Sequence, residues 1–359
     1  VAYIKPENSK SAVNRAGEIL ISDTLWAKDN NDALKTINNW RYSHIYPMQK
    51  IKQTLERRAQ KIDDATIIAQ RLKRLPSIES KLRILGSSRL ARMQDIGGCR
   101  AILETVGDVY ELCEAYVIAE GKRPEGRSKL SRITDYIQEP RDTGYRSIHL
   151  LMEYESDTET RIVYNGLKIE IQLRTQLQHN WATAVETAST FLGQKLKAGI
   201  GDSRWLRFFA LVSSVFALKE NCPLVPNTPA NKAKLNAEVR KLWKELKVDI
   251  FLKGCAITTN LSQTRFKTGN RFLLKLNAKE QKLTVTMYDK TQLLGATMHL
   301  ALAEKESAIN PDIDAVLVGV EDLSKLKSAY PNYFSDTKEF VETLADEIGV
   351  TVWTEKTAS

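Results

Sequence analysis

Lys168-Ile169-Glu170-Ile171-Gln172-Leu173-Arg174 changes between polar and apolar at every step. A period of two predicts a strand with Ile169, Ile171 and Leu173 on one face and Lys168, Glu170, Gln172 and Arg174 on the other. A plain surface strand would read the same way, so the neighbouring stretches decide. In Arg146-Ser-Ile-His-Leu-Leu-Met152, Ser147 and His149 share one face while Ile148, Leu150 and Met152 take the other. Two such strands side by side would floor a polar cleft backed by an apolar core. Short β-rich runs over 98–174, set around a helix at 106–120, make the fold class α+β.

The flanks read as helix. Residues 38–59 and 63–85 mix apolar and charged positions at helical spacing, with a break at Pro76-Ser77 and Ser77 expected to cap a helix there. A long helical stretch is expected from 177 to about 220. Pro223, Pro226 and Pro229 then stop any helix, placing a linker over 222–230 between units at 1–221 and 231–359. The second unit reads as a smaller α+β domain. It holds a helix at 231–248, a hairpin at 272–288 turning near 277–279, a strand at 314–320, and a helix at 335–348 with Ser335 as cap and Gly349 as stop.

Composition excludes several classes. Of 359 residues, 42% are hydrophobic and 27% charged, which suits a globular core. No apolar run approaches the ~20 residues that span a bilayer, and 1–11 lacks a signal-peptide pattern. Cys99, Cys113, Cys222 and Cys255 are scattered without a CxxC. Neither a disulfide framework nor a zinc site is expected, and a reducing cytoplasm is. The net charge of +9 is uneven: +7 over 1–221, +9 over 222–290 and −7 over 291–359. Basic surface suits a polyphosphate or nucleic-acid partner, and an acidic tail could compete for it. Solubility alone would explain the charge equally well.

Three further stretches carry chemistry. The loop Asp135-Tyr-Ile-Gln-Glu-Pro-Arg-Asp-Thr-Gly-Tyr-Arg146 puts Tyr145 just after a flexible glycine, where its ring could stack a base or pack on the loop itself. Asp95-Ile-Gly-Gly-Cys-Arg100 supplies a carboxylate, which with Glu170 would seat Mg²⁺ carrying a triphosphate. It is not a P-loop, because GxxxxGK[ST] is absent from the chain. Arg71-Leu-Lys-Arg-Leu-Pro-Ser-Ile-Glu-Ser-Lys81 gathers cations around Ser77, as an anion cradle or a solvated helix face would.

Taken in order, RLKRLPSIESKL, DIGGCR, DYIQEPRDTGYRSIH and IEIQLRTQLQHNWA resemble the synthetase domain of the RelA/SpoT superfamily, over roughly residues 40–220. The resemblance implies a nucleotidyltransferase-like mixed sheet flanked by helices. It also implies transfer of the β,γ-pyrophosphate of ATP to a ribose 3′-hydroxyl with release of AMP. By motif match, Arg71 and Arg100 would sandwich the adenine, and Lys73, Ser77 and Lys81 would hold the phosphates. Asp95 and Glu170 would ligate Mg²⁺, with Glu170 also activating the attacking hydroxyl. Tyr145 would stack the acceptor base, supported by His149 and Gln172. The first 90 residues hold no HD pair of the hydrolase found in long members, so a short, single-activity member is expected.

Two acceptors compete. A guanine or adenine nucleotide would give an alarmone, whereas the 3′-terminal adenosine of the tRNA CCA end would halt translation. Trp40-Arg-Tyr-Ser-His-Ile-Tyr46 resembles the toxic, tRNA-modifying members, and Lys122, Arg123, Arg127, Lys129 and Arg132 could track a phosphate backbone. They could equally hold nucleotide phosphates. The C-terminal half resembles the fused antitoxin domain of CapRel-type proteins through Tyr330-Pro-Asn-Tyr333. That likeness implies that Tyr330 and Tyr333 fold back over the ATP site, and that a phage major capsid protein releases them. A monomer is expected. A non-catalytic module that binds RNA or senses phage remains the alternative from another class.

Overall fold

The computed structural model describes residues 3–22, 31–86, 89–124, 126–255, 258–262, 271–289, 291–310, 312–320, 323–334 and 336–352. Helices α1 (Lys10–Ile21), α2 (Asn31–Ser43) and α3 (Ile45–Ala59) precede β1 (Ile67–Leu72), α4 (Leu75–Leu85) and β2 (Gly97–Leu103). Next come α5 (Val106–Gly121), β3 (Arg127–Asp135), β4 (Ile148–Ser156), β5 (Lys168–Thr175), α6 (Gln176–Phe191) and α7 (Ser203–Lys219). The remainder is α8 (Lys232–Leu246), α9 (Val248–Gly254), β6 (Thr258–Ser262), β7 (Arg271–Asn277), β8 (Lys282–Tyr288), α10 (Leu293–Ile309), β9 (Ile313–Gly319), α11 (Leu323–Ala329), α12 (Pro331–Phe334) and α13 (Lys338–Ile348).

The strands form one mixed sheet in the order β3-β4-β5-β2-β1-β9-β7-β8-β6, flanked by helices, so the α+β class expected from the sequence is the one observed. Pairs β2/β5 and β6/β8 are parallel and the others antiparallel. The C-terminal strands do not build a separate sheet. They extend the first one, because β9 pairs with both β1 and β7.

One face of the sheet is apolar under α3, α5 and α10, with Ile68, Leu72, Cys99, Ala101, Leu150, Ile171 and Leu173 in a single core. The opposite face carries polar residues on β2, β4 and β5, and a separate apolar core on β7, β8 and β9 under α11 and α12. A second core joins α6 and α7 to α8, α9 and α13. The stretch 222–230 connects α7 to α8 and is pinned down: Val225 is buried, and its N–H donates to Ser214 Oγ at 3.0 Å. Removing 222–359 would therefore strip β9 from β1 and uncover Phe209 and Phe216, which pack against Phe340. The expected result is an insoluble fragment, because a bared central strand and apolar surface drive aggregation. Recovery of a monodisperse 1–221 fragment on size exclusion would contradict this.

Three local expectations are corrected. Residues 63–85 are not one helix: β1 occupies 67–72 and α4 begins at Leu75. Ile67-Ile68-Ala69 pairs with β2 and has core on both faces, so it lacks the alternation that marks a half-exposed strand. Ser77 does not cap α4. The cap position is Arg74, without a side-chain capping bond, and Ser77 sits inside the first turn. The stretch from 177 to 220 divides into α6 and α7, since Gly193, Gly199 and Gly201 all take positive φ between them. Gly349 ends α13 in the left-handed conformation as expected, whereas the cap position is Thr337. Ser335 lies outside the described residues.

Candidate active site

Register sets the site. Thr134, His149, Gln172, Arg100 and Ala69 form one row across the polar face, and Arg132, Leu151, Glu170, Gly98 and Arg71 form the next. Gly98 stands between Glu170 and Arg71, so no side chain separates the carboxylate from the guanidinium. β1 and β2 run antiparallel, which brings the exit of one beside the entry of the other. Lys73 N–H donates to Ile96 O at 2.8 Å, and Lys73 thereby lies next to Asp95.

Asp95 accepts from Lys73 Nζ at 2.8 Å and from Lys81 Nζ at 2.9 Å, one on each oxygen. Burial alone would raise this carboxyl, but the two ammonium groups bring it down to about 2. Glu170 accepts from Gln172 Nε2 at 2.8 Å and lies 3.2 Å from His149 Nδ1. Burial also opposes its charge, yet His149 holds it below the usual carboxylate range, while nearby Asp95 works in the other direction. His149 Nε2 in turn meets the Tyr145 hydroxyl at 2.7 Å. Tyr145, His149 and Glu170 thus form a continuous hydrogen-bonded chain.

The chain has a pH consequence. Burial disfavours a charged imidazole, but Tyr145 and Glu170 together raise His149 to about 9 from 6.5. Its contribution to stability is complete below about pH 6.5 and is lost as pH climbs through 9. Ring ¹⁵N shifts are expected to show His149 still protonated at neutral pH. A midpoint at or below the ordinary histidine value would contradict the arrangement.

Tyr145 itself is only 8% exposed, edge-on to Tyr136 and His149, so it offers no open face for stacking as it stands. The five basic residues before the acceptor loop divide. Lys129 and Arg132 share the strand face of Glu170, where they meet Glu153 and Gln94. Lys122, Arg123 and Arg127 instead line a groove along α3, on the far side of the sheet. Ser77 and Lys81 lie on α4, and Lys81 shares Asp95 with Lys73.

The remaining cations are covered by the C-terminal segment. Arg100 Nη1 donates to Ala329 O at 3.2 Å and lies 5.9 Å from the Tyr330 ring centroid. The Tyr330 hydroxyl donates to Gln70 O at 2.8 Å. Tyr333 accepts from Arg74 Nη1 at 3.1 Å and donates to Asp314 Oδ2 at 3.0 Å, while Arg74 and Asp314 form an ion pair. Both tyrosines are buried, and their hydroxyls are pushed up to about 12.

Three residues on the strand-to-helix junction of β5 and α6 complete this pocket, and sequence reasoning gave them no role. Arg174 donates to His179 Nδ1, and His179 Nε2 donates to Ser328 O at 2.9 Å. Glu186 lies 3.7 Å from Arg74 and is drawn down to about 2: burial opposes its charge, and Lys197, Arg71, Arg74 and Arg100 favour it. The signal was present, because His179 and Glu186 stand two helical turns apart and so share a face of α6. Buried Arg100 and Arg174 each keep an Nε–H without a partner among the described residues. A pocket so rich in cations and spare donors is suited to an anion.

Residues 70–193 match the family model described as the region found in RelA / SpoT proteins. Two curated relatives match over 118 residues: the GTP pyrophosphokinase YwaC of Bacillus subtilis at 32% identity and the GTP pyrophosphokinase YjbM of the same organism at 30%. Each match covers 32% of this chain and 52% of the relative, so the chain spans about half the length of the curated relatives it matches. Among solved structures, small alarmone synthetase 2 from B. subtilis aligns at 22% identity and TM-score 0.42, covering 51% of this chain and 93% of that one. Small alarmone synthetase 1 from B. subtilis, bound to its product pppGpp, aligns at 23% and 0.39, covering 49% and 88%.

Proposed function

We propose that this chain transfers the β,γ-pyrophosphate of ATP to the 3′-hydroxyl of the terminal adenosine of tRNA, releasing AMP, and that its own C-terminal segment restrains it. The observation that carries the reading is Asp95 with Lys73 and Lys81 at the ends of β1 and β2, near the Glu170–His149–Tyr145 chain on the polar face, inside the segment that matches RelA/SpoT proteins.

The residues fit a magnesium–triphosphate ligand. Asp95 and Glu170 are both held ionised, and among the described residues no third His, Cys, Asp or Glu joins them in a closed metal cage. Two carboxylates completed by phosphate oxygens is how such Mg²⁺ sites are usually built. When bound, the metal would neutralise phosphate charge. Lys73 and Lys81 would then exchange Asp95 for phosphate oxygens. Arg71 and Arg100 flank the place where the adenine would lie. Glu170 accepts the proton of the attacking hydroxyl, and His149 keeps it oriented and ionised until then. Most of the rate comes from holding hydroxyl and phosphorus in line and balancing charge.

Restraint rests on Tyr330 and the Ala329 carbonyl, which occupy Arg100, and on Tyr333, which occupies Arg74. The likeness of Tyr330-Pro-Asn-Tyr333 to fused toxin–antitoxin proteins adds a phage major capsid protein as the releasing partner. Lys129 and Arg132 on the catalytic face favour a polynucleotide acceptor. A guanine-nucleotide acceptor is the second reading, favoured by the two relatives described as GTP pyrophosphokinases.

The test offers γ-³²P-ATP with GDP, GTP or deacylated tRNA to full-length protein carrying Tyr330→Ala and Tyr333→Ala. Label on intact tRNA, lost when the terminal adenosine is removed, supports the first reading. Label on guanine nucleotide alone selects the second. Transfer to no acceptor leaves a binding module.

A further inference from the structure

Helix α4 carries Ser77 and Lys81, yet nothing in its own sequence caps it: Arg74 in the cap position makes no side-chain capping bond, and Pro76 follows. Its first amide is satisfied from elsewhere in the chain. Leu75 N–H donates to Glu304 Oε1 at 3.1 Å, and Glu304 belongs to α10, far along the sequence. The same carboxylate receives Arg41 Nη2 at 2.7 Å and Nη1 at 2.8 Å, in a two-pronged pair with side chains 1% and 3% exposed.

Arg41 has no donor to spare. Its Nε and Nη2 reach Lys73 O at 3.2 and 3.0 Å, and Nη1 also reaches Asn38 Oδ1 at 2.8 Å. All five N–H groups of a guanidinium are thereby used. Burial works against its charge, and Glu304 keeps it charged. The pair therefore holds both ends of the Lys73–Leu75 backbone, by the carbonyl of Lys73 and the amide of Leu75. From that short piece the Lys73 side chain leaves toward Asp95, and α4 starts toward Lys81. A carboxylate at a helix N-terminus also satisfies the helix dipole.

We infer that Arg41 and Glu304 are positioning residues for the phosphate cradle, and that the C-terminal region which covers the neighbouring cations also builds the cradle. The inference rests on the proposed reading of Lys73, Ser77 and Lys81 as phosphate-holding groups. Neither Arg41 nor Glu304 touches substrate in this scheme; both act through the backbone of residues 73–75.

The test uses the full chain with Tyr330→Ala and Tyr333→Ala as parent and adds Glu304→Gln. Because a buried arginine left without its carboxylate can unfold a protein, a second variant replaces Arg41 and Glu304 together by Met, which removes the tie without stranding a charge. Two quantities are read. Backbone hydrogen exchange over 73–82 is expected to speed up in both variants, while β2 and β5 stay protected. Affinity for the non-hydrolysable analogue AMPCPP is expected to fall about tenfold or more, since small misplacements of binding groups are costly. Affinity for AMP, which lacks the phosphates held by the cradle, should not change. Unchanged exchange over 73–82 overturns the tie. Faster exchange with unchanged AMPCPP binding, or equal losses for AMPCPP and AMP, overturns its purpose. A parent that binds no AMPCPP is a different failure, because it sinks the reading of the site before either variant is compared.

Discussion

Exchanging Glu170 for Gln is expected to lower pyrophosphate transfer by roughly a thousandfold, the scale seen when a preorganised charged group is lost from a reacting centre. The side chain keeps its shape, so the packing of β5 should survive. What disappears is the proposed acceptor for the hydroxyl proton and one of two candidate metal carboxylates. His149 also loses the anion 3.2 Å from its Nδ1, so the imidazole should release its proton at lower pH than in the parent. The loss should appear in kcat, with the KM for ATP close to the parent value, because Lys73, Lys81 and Arg100 are untouched. Unaltered melting with activity within tenfold of the parent would remove Glu170 from the mechanism.

The second large effect runs in the opposite direction. Replacing Tyr330 and Tyr333 by Ala in the full chain is expected to raise apparent ATP affinity by about a hundredfold. A ligand that competes with a docked segment binds more weakly by the fraction of time the segment is away. Each tyrosine is a buried aromatic, and removing one from a packed site costs about 3–5 kcal/mol. That is ample to shift a segment from almost always docked to mostly undocked. Tyr333→Phe alone should give a smaller rise, because it removes only the hydroxyl contacts with Arg74 and Asp314. Equal ATP binding in parent and double variant, with α11 and α12 shown to be displaced, would refute restraint.

Where the sequence was legible, an element's pattern was written by one environment. β5 has a core face and a site face, and its alternation placed Glu170 and Gln172 correctly beside His149. The prolines after α7 and Gly349 after α13 marked breaks because backbone chemistry is local. β1 was opaque for the converse reason. It is the strand where the two halves meet, covered on both sides, so its residues carry no period of their own. Glu304 could not have been read at all. On α10 it is one of two acids, and its role as the cap of α4 depends on a contact 229 residues apart in sequence. Arg174 was visible as part of the strand, but its burial against Arg100 and His179 comes only with the turn into α6.

The cap from α10 has a consequence for how the chain comes into being. A ribosome releases β1, β2 and β5 well before residue 304, and N-terminal portions begin to fold as they appear. During that interval Arg41 has no carboxylate and α4 has no cap, so the nascent polypeptide lacks a finished cradle. Glu304 emerges shortly ahead of Tyr330 and Tyr333, on the same stretch of chain. The part that completes the machinery and the part that covers it are thus delivered almost together. Only the short stretch of synthesis between residues 304 and 330 separates completing the proposed cradle from covering it.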